Sequence, residues 1–206
     1  MQPPWENASC GHKPIARTGN VLEMRIVFLA VDDEYAGAMQ KPLYDAASEY
    51  IVGSVLSSCH VYKKSTVSAS WFLLRESGFR YVAEMLRLKV LGRIVSERSS
   101  PTPSALAATH GLETFRSANI NDDQSIEILK HWEPDLIIST NFNHYVGKRV
   151  RTLPRFGTWN LHKSYLPHYR GMAPSFYALL EGASYAGATL HRMDAGFDTG
   201  DIIART

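Results

Sequence analysis

The stretch MRIVFLA at Met24–Ala30 decides the fold class, because it is continuously apolar after Arg25. A short run of β-branched and aromatic residues without polar alternation is typical of a strand buried on both faces of a parallel sheet. The 23 preceding residues hold Pro, Gly, Asn and Ser without apolar periodicity, and they lack the apolar segment of a secretory signal. We therefore predict a disordered leader over 1–23, a natural start at Met24 and a domain over 24–206.

Strand and helix patterns alternate along the rest of the chain. Asp32–Tyr50 has the pattern of a helix with a polar entrance, and Ile51–Leu56 that of a second buried strand. From Pro103 onward we predict helices over Ser104–His110, Asp122–Trp132, Asn143–Val150 and Pro174–Leu180, and strands over Gly111–Phe115, Asp135–Thr140, Phe156–Leu161, Ala188–Met193 and Gly200–Ala204. This alternation predicts an α/β fold: a Rossmann-like, mainly parallel sheet with helices on both faces.

The stretch from 57 to 101 departs from this alternation. Between Val67 and Val95 it carries aromatic residues and leucines at mixed helical spacings, which predicts a helical insertion of one or two helices. Its eight basic and three acidic side chains give a net charge of +5. A solvated basic helix face explains this charge, and a surface for an acidic partner such as tRNA, a nucleotide or anionic lipid is the alternative.

Composition excludes several classes of protein. Of the 206 residues, 45% are hydrophobic and 20% charged, as in an ordinary soluble globule of one domain. The longest apolar run is far shorter than the ~18–20 residues that a membrane span needs. A net charge of +2 is too small to indicate nucleic acid by itself. Cys10 and Cys59 form neither a disulfide framework nor a zinc spacing, so we expect a reduced, cytoplasmic setting and no metal.

Ligands of parallel α/β sheets bind beyond the carboxyl ends of the strands, so the residues that follow each strand are the candidates for a site. No G-x-G-x-x-G or Walker loop occurs, which leaves nucleotide-cofactor binding without its usual signature. Asn160 and His162 are two residues apart on an extended segment, so their side chains point to one face. The loop over 193–202 follows another strand and is rich in carboxylates and glycines.

Three motif blocks stand in order here: Asn160–His162 (NLH), Ser164–Gly171 (SYLPHYRG) and Asp198–Gly200 (DTG), with 36 positions from His162 to Asp198. On these blocks the chain resembles the folate-dependent formyltransferase superfamily. The resemblance extends from Met24 to the end of the chain, and it is weak over 57–101 and strong over 134–206. It implies a catalytic domain that uses 10-formyltetrahydrofolate as co-substrate. Relatives continue beyond this point, which implies that a C-terminal part of the domain is missing.

The resemblance also implies roles for individual residues. Formyl transfer to an amine passes through a tetrahedral intermediate, whose oxyanion a preorganised hydrogen-bond donor stabilises. His162 as imidazolium and the Asn160 amide are the two expected donors, and Asp198 is expected to hold the imidazolium and assist proton transfer. The expected folate-binding residues are Asn143, His144, Tyr145, Val146 and Asp194.

Other polar residues near these motifs have ordinary explanations. Ser164 is expected to orient His162 as a loop residue, not to act as a nucleophile. His144, His168 and His191 have no partner by spacing, so surface or satisfied positions are expected for their imidazoles. Gly200 is expected to let its loop approach the folate closely, because glycine has no side chain to keep a ligand away.

The amine acceptor is less narrowly determined by the sequence. The loop Val31–Gly37 lacks the Gly/Ser-rich phosphate loop of glycinamide ribonucleotide transformylases, which argues against that substrate. The sequence around the NLH and YRG motifs favours an amino sugar nucleotide or a related small amine as the acceptor. Three alternatives stay open: the catalytic domain of a methionyl-tRNA formyltransferase without its RNA-binding module, a formyltetrahydrofolate hydrolase with water as acceptor, and a non-catalytic or truncated relative.

Overall fold

A sheet of seven strands forms the centre of the part of the protein that the structure describes. The computed structural model describes residues 24–57, 71, 74–75, 78–79, 83, 87, 100–171 and 173–206. The strands are β1 (Ile26–Val31), β2 (Ile51–Ser57), β3 (Glu113–Ser117), β4 (Leu136–Thr140), β5 (Thr158–His162), β6 (Thr189–Arg192) and β7 (Ile202–Arg205). The helices are α1 (Glu34–Ala47), α2 (Pro103–Thr109), α3 (Asp123–Trp132), α4 (Lys148–Arg151) and α5 (Pro174–Leu180), and a 3-10 helix covers Ser48–Tyr50.

The strands lie in the order β3-β2-β1-β4-β5-β6-β7. β1 to β5 are parallel, whereas β6 pairs antiparallel with β5, and β7 pairs antiparallel with β6. The chain therefore builds the sheet outward from β1 in one direction through β2 and β3, and in the other through β4 and β5. The predicted Rossmann-like, mainly parallel fold is confirmed.

Two apolar clusters cover the two faces of the sheet. Val27 and Leu29 of β1 belong to one cluster, and Ile26 and Phe28 belong to the other, because successive side chains of a strand point to opposite faces. The first cluster includes residues of α3 and α4, and the second includes residues of α1 and α2. β1 is therefore covered on both faces, as its continuous apolar run predicts.

Polar side chains at the helix starts hold the loops at the carboxyl edge of the sheet. Asp33 follows β1 and caps α1, since its Oδ1 accepts a hydrogen bond from the Ala36 N–H at 2.7 Å. Asp122 caps α3 in the same way through the Ser125 N–H, also at 2.7 Å. Caps of this kind contribute about 1 kcal/mol each to stability.

The predicted helix over Asn143–Val150 is wrong over 143–147, because α4 begins only at Lys148. The side chain of Asn121 holds the preceding segment: its Nδ2 donates to Tyr145 O at 2.8 Å, and its Oδ1 accepts from the Gly147 N–H at 2.6 Å. These bonds engage backbone groups that a helix would use for itself. The other elements predicted within residues 24–57 and 100–206 are present with bounds shifted by a few residues, and α5 has the predicted bounds.

The predicted leader over 1–23 and most of the predicted insertion over 57–101 lie outside the described residues. Seven described residues between 71 and 87 are helical. Among the helices of the described ranges, none is long and apolar enough to cross a membrane.

Candidate active site

A cavity of about 430 Å³ opens at the carboxyl edge of the sheet. It lies where the strand order reverses between β1 and β4, which is where doubly wound sheets bind their ligands. Residues that follow β1, β4 and β5 line it, together with the loop after β6. The lining includes every residue that the sequence predicts as catalytic or folate-binding: Asn143, His144, Tyr145, Val146, Asn160, His162, Asp194 and Asp198.

Four side chains at the floor of this cavity form what we call the Asp198 cluster: Asn160, His162, His191 and Asp198. Oδ1 of Asp198 accepts a hydrogen bond from Asn160 Nδ2 at 3.2 Å and lies 3.4 Å from His191 Nε2. Oδ2 accepts from the backbone N–H of Gly171 at 2.8 Å and lies 3.5 Å from His162 Nδ1. One half-buried carboxylate thus joins two imidazoles and an amide.

Strand pairing explains why Asn160 meets His191. In the antiparallel pair of β5 and β6, Asn160 lies directly opposite His191, so the two side chains share a face. Asn160 Nδ2 lies 3.3 Å from His191 Nε2, and His191 Nδ1 lies 2.8 Å from Arg192 O. Nδ1 therefore donates to Arg192 O, and Nε2 lies between the Asn160 amide and the Asp198 carboxylate. The sequence spacing predicted no partner for the His191 imidazole, but in the structure this side chain is buried inside the Asp198 cluster.

The loop after β5 holds His162 in place. His162 Nε2 lies 2.9 Å from Tyr169 O while Nδ1 faces Asp198, so both ring nitrogens face oxygen acceptors, an arrangement that suits an imidazolium. Ser164 Oγ donates to His168 O at 2.8 Å and braces the loop next to Tyr169. Ser164 therefore stabilises the loop whose Tyr169 carbonyl oxygen contacts His162, and its hydroxyl is not directed into the cavity.

The surroundings of Asp198 favour its ionised form. Burial opposes ionisation, but a hydrogen bond from His191, the Gly171 N–H and the charges of His162 and His191 outweigh it and hold the pKa of Asp198 below its ordinary value. Gly171 has φ +87, in the left-handed region that favours glycine. The glycine at this position lets the backbone N–H turn toward Asp198.

The loop after β6 is closed by its own hydrogen bonds. Asp194 Oδ1 accepts from the Gly196 N–H at 2.9 Å and from Thr199 Oγ1 at 2.7 Å. Asp194, predicted as a folate-binding residue, therefore braces the loop and is exposed at the cavity. A Cβ on Gly200 would lie 1.9 Å from Arg192 O. The close approach that requires glycine there is to the neighbouring strand of the same chain.

Two chain segments form walls of the cavity, 142–146 after β4 and 193–197 after β6. The Tyr145 hydroxyl donates to Ala195 O at 3.3 Å, and the rings of Tyr145 and Phe197 lie 5.9 Å apart. These two contacts connect the walls at the solvent side, where both aromatic rings are exposed.

His144 and Val146 support the 142–146 wall from inside. His144 Nε2 lies 2.9 Å from Ser57 Oγ, and its Nδ1 accepts a hydrogen bond from the Ile120 N–H at 3.4 Å. Burial lowers the pKa of His144 to about 4, against the opposing charge of Asp122, so the ring is neutral at neutral pH. Val146 belongs to an apolar cluster of the core. Both line the cavity, but both are mostly buried beneath it.

A second polar group lines the same cavity, which we call the Lys163 relay: Asp33, Asn141 and Lys163. Lys163 Nζ donates to Asn141 Oδ1 at 3.0 Å, and Asn141 Nδ2 donates to Asp33 Oδ2 at 3.1 Å. Nζ also lies 4.2 Å from the centre of the Tyr35 ring. Burial lowers the pKa of Lys163, against the opposing charge of Asp33. The relay takes one residue from the end of each of β1, β4 and β5.

The model of the formyl transferase family matches residues 87–206, which is more than half of the chain. The chain belongs to the formyl transferase family. The matched range contains the whole Asp198 cluster, together with Asn141 and Lys163, whereas Asp33 lies before it.

Curated relatives of this formyl transferase chain include methionyl-tRNA formyltransferases. That of Agathobacter rectalis is 41% identical over 100 residues, which cover 48% of this chain and 32% of the relative. That of Syntrophomonas wolfei is 42% identical over 105 residues, which cover 50% of this chain and 33% of the relative. The matched region spans about a third of the length of these relatives.

Solved structures of formyltransferases share the fold. The crystal structure of phosphoribosylglycinamide formyltransferase from Anaplasma phagocytophilum superposes with a TM-score of 0.60 at 19% identity, covering 88% of this chain and 70% of that one. The superposition confirms the predicted fold of this formyl transferase chain.

Reasoning from the sequence missed His191 and Lys163, which line the same cavity as the predicted site residues. His191 lies seven positions before Asp198 on a predicted strand, and Lys163 directly follows His162. The closeness of each residue to a motif residue was therefore available as a signal in the sequence. Their relation to the site depends on which strands are neighbours, and the alternation of helices and strands does not determine that.

Proposed function

We propose that this chain transfers a formyl group from 10-formyltetrahydrofolate to a primary amine. The observation that carries the proposal is the convergence of Asn160, His162 and Asp198 at the crevice of a formyl transferase fold. Acyl transfer needs hydrogen-bond donors for an oxyanion and a group that moves protons, and this set contains both.

The cavity suits a folate. Its volume lies within the range of small-molecule sites, about 300–1,000 Å³. Phe142, Tyr145, Val146, Met193 and Phe197 give its walls an apolar and aromatic surface, as a flat heteroaromatic ring requires. Asn143 and Asp194 add polar groups at the same walls. When bound, the folate would supply the formyl group, and its N10 would take up one proton as the C–N bond breaks and leave as a neutral secondary amine.

Asn160 and His162 are proposed to stabilise the oxyanion. In the structure, Asn160 directs its Nδ2 to Asp198 and His191, and His162 directs its Nε2 to Tyr169 O. These bonds must be exchanged for bonds to substrate, as often happens when catalytic side chains meet their ligand. One such donor accelerates acyl transfer by a factor of about 10²–10³.

Asp198 is proposed to assist proton transfer. Its lowered pKa keeps it ionised at neutral pH, so it can stabilise an imidazolium at His162 and accept a proton from the incoming ammonium, directly or through water. An amine acceptor attacks only in its neutral form, so this proton must leave before or during the attack.

Two classes of primary amine are the candidate formyl acceptors, an aminoacyl-tRNA and an amino sugar nucleotide. The relatives at 41–42% identity are methionyl-tRNA formyltransferases, which supports the α-amino group of an aminoacyl-tRNA. The sequence pattern favoured an amino sugar nucleotide. The loop after β1 does not resemble a phosphate loop, since Asp32 accepts from the Ser104 N–H and Asp33 caps α1. The cytoplasmic setting expected from the cysteines stays a prediction.

The test is a formylation assay with 10-formyltetrahydrofolate and each acceptor class, read by product mass. We expect formylated amine with one of the two classes, and a fall of about 10²–10⁴-fold in kcat for His162→Ala. His131→Ala is the matched control, because His131 is exposed on α3 and does not line the cavity.

Three results would contradict this proposal. Release of free formate at the full rate without any amine would identify a hydrolase. Full activity of His162→Ala would exclude the mechanism. Folate binding without turnover in the wild type would support a non-catalytic relative.

A further inference from the structure

The Lys163 relay has no role in the mechanism above, yet it places a charged side chain in the active-site cavity. Lys163 is half-buried, and within the described residues no carboxylate contacts its Nζ directly. Its direct polar partner is the amide oxygen of Asn141, and its charge also lies over the Tyr35 ring. A lysine retained only for stability would more commonly pair directly with an acid, because burying an unpaired charge is costly.

The hydrogen bonds of the relay keep its two charges apart. Both carboxylate oxygens of Asp33 already accept hydrogen bonds, one from the Ala36 N–H and one from Asn141 Nδ2. Asn141 therefore turns its oxygen to Lys163 and its Nδ2 to Asp33, which fixes the position of the ammonium. An ammonium has three N–H donors, and Asn141 accepts one of them.

We propose that the Lys163 ammonium binds a phosphate group of the amine acceptor. Lysine is a common phosphate ligand that acts as a point charge, and a bound phosphate would supply the direct anionic partner that Lys163 lacks. Both acceptor classes carry phosphate, as the diphosphate of a sugar nucleotide or as the phosphodiester of a tRNA. The inference rests on the proposed function, because it names what the acceptor end of the same cavity recognises.

The position of Lys163 supports this assignment. Lys163 directly follows His162, and both side chains line the same cavity, so a group held by Lys163 lies in the cavity that contains the reacting centre. The walls proposed for the folate, 142–146 and 193–197, do not include any member of the relay. The relay therefore leaves the donor site free and marks where the acceptor enters.

The experiment compares Lys163→Met with Lys163→Arg and with Lys130→Met. Lys130 is exposed on α3 and pairs with Glu127, so its loss changes the net charge equally without touching the cavity. Each variant is assayed with acceptor pairs that differ in phosphate: an amino sugar nucleotide against the free amino sugar, and methionyl-tRNA against methionine methyl ester. The pair that responds identifies the source of the phosphate.

We expect Lys163→Met to raise the KM of the phosphate-bearing acceptor about 10-fold or more, as the loss of one charge-assisted hydrogen bond predicts. The KM of the phosphate-free amine and of the folate, and kcat, should change little. Lys163→Arg should keep most of the affinity. An equal rise in KM for both members of a pair, or unchanged KM for both, would overturn the proposal.

A binding measurement separates this inference from the proposed function. Inorganic pyrophosphate is titrated into the wild type, Lys163→Met and Lys130→Met and followed by NMR chemical shifts. We expect the Kd to rise about 10-fold or more in Lys163→Met only. Lysine-dependent binding in a wild type that formylates no amine would refute the function and support the phosphate site. Formylation by a wild type whose pyrophosphate binding does not depend on Lys163 would support the proposed function and refute the phosphate site.

Discussion

The Asp198 cluster and the Lys163 relay lie at the same edge of the sheet and line one cavity, but they treat their charges in opposite ways. The cluster surrounds one carboxylate with donors: an amide, a backbone N–H and two imidazoles face it within 3.5 Å. The relay inserts Asn141 between its carboxylate and its ammonium. The cluster thus neutralises its charge internally, whereas the relay keeps a cation separate from its acid.

This difference matches the two roles that we propose, proton exchange for the cluster and phosphate binding for the relay. Groups that hold and exchange protons need close contact, because proton transfer requires hydrogen-bond distance. A group that recognises an anion needs its charge available to a ligand and not cancelled by a neighbouring acid. We therefore expect changes in the cluster to act on kcat with every acceptor, and changes in the relay to act on the KM of phosphate-bearing acceptors.

The largest effect is expected from Asp198→Asn. Asparagine tolerates the left-handed backbone that Asp198 adopts at φ 52, so the loop conformation can survive, but the charge that both imidazoles face is lost. We expect kcat to fall about 10²–10⁴-fold with either acceptor class, with little change in KM. Steady-state kinetics measure this. Asp201→Asn is the control, because Asp201 is exposed and does not line the cavity.

The acid limb of the stability curve provides a second check on Asp198. Because its folded-state pKa lies below 3.8, the stability that its ionised form contributes is fully present above that value and is lost as the pH falls through the folded-state pKa. Asp198→Asn should therefore be less stable than the wild type at neutral pH, and the difference should shrink below about pH 4. A kcat loss without any change in this limb would mean that folding does not lower the pKa of Asp198.

A smaller effect is expected from His191→Asn. His191 supports the cluster from β6, where its Nε2 lies next to the Asn160 amide and Asp198 Oδ1, so it acts through these two residues. An asparagine oxygen can accept from Asn160, but it cannot carry a proton. We expect kcat to fall about 10-fold, as for a supporting hydrogen bond, and the pH profile of kcat to shift. An unchanged pH profile with lowered thermal stability would show that His191 serves packing alone.

The sheet was predictable because its central strands are apolar on both faces. The strands at Ile26–Val31 and Leu136–Thr140 are buried along their whole length, as is typical of a parallel sheet covered by helices on both faces. The segment at 143–147 was mispredicted because its conformation depends on Asn121, a residue more than twenty positions away, whose side chain binds Tyr145 and Gly147. The local hydrophobic periodicity of a segment cannot predict a contact with a side chain so distant in the sequence.

The Asp198 cluster was predictable only in part, for a similar reason. Asn160, His162 and Asp198 were found through their motifs and spacing. His191 required the pairing of β6 with β5, and the antiparallel direction of that pair places it opposite Asn160. Lys163 required the adjacency of β1, β4 and β5, since its partners come from the ends of the other two strands. The order of the elements along the chain does not determine which strands are neighbours in the sheet, so neither set of contacts could be predicted from it.

The smallest effect, and the one that most sharply separates the relay from the cluster, is expected from Asp33→Asn. Asparagine is as good an N-cap as aspartate, so α1 should keep its start and the stability should change little. Removing the acid while leaving Lys163 in place raises the positive potential at the cavity. The KM of the phosphate-bearing acceptor should therefore fall about two- to five-fold at low ionic strength, opposite in sign to Lys163→Met. The difference should fade in 1 M salt, where charges are screened beyond about 3 Å. A KM that rises instead would mean that Asp33 holds Lys163 in its working position, and the separation of charges would then serve the geometry of the relay and not its potential.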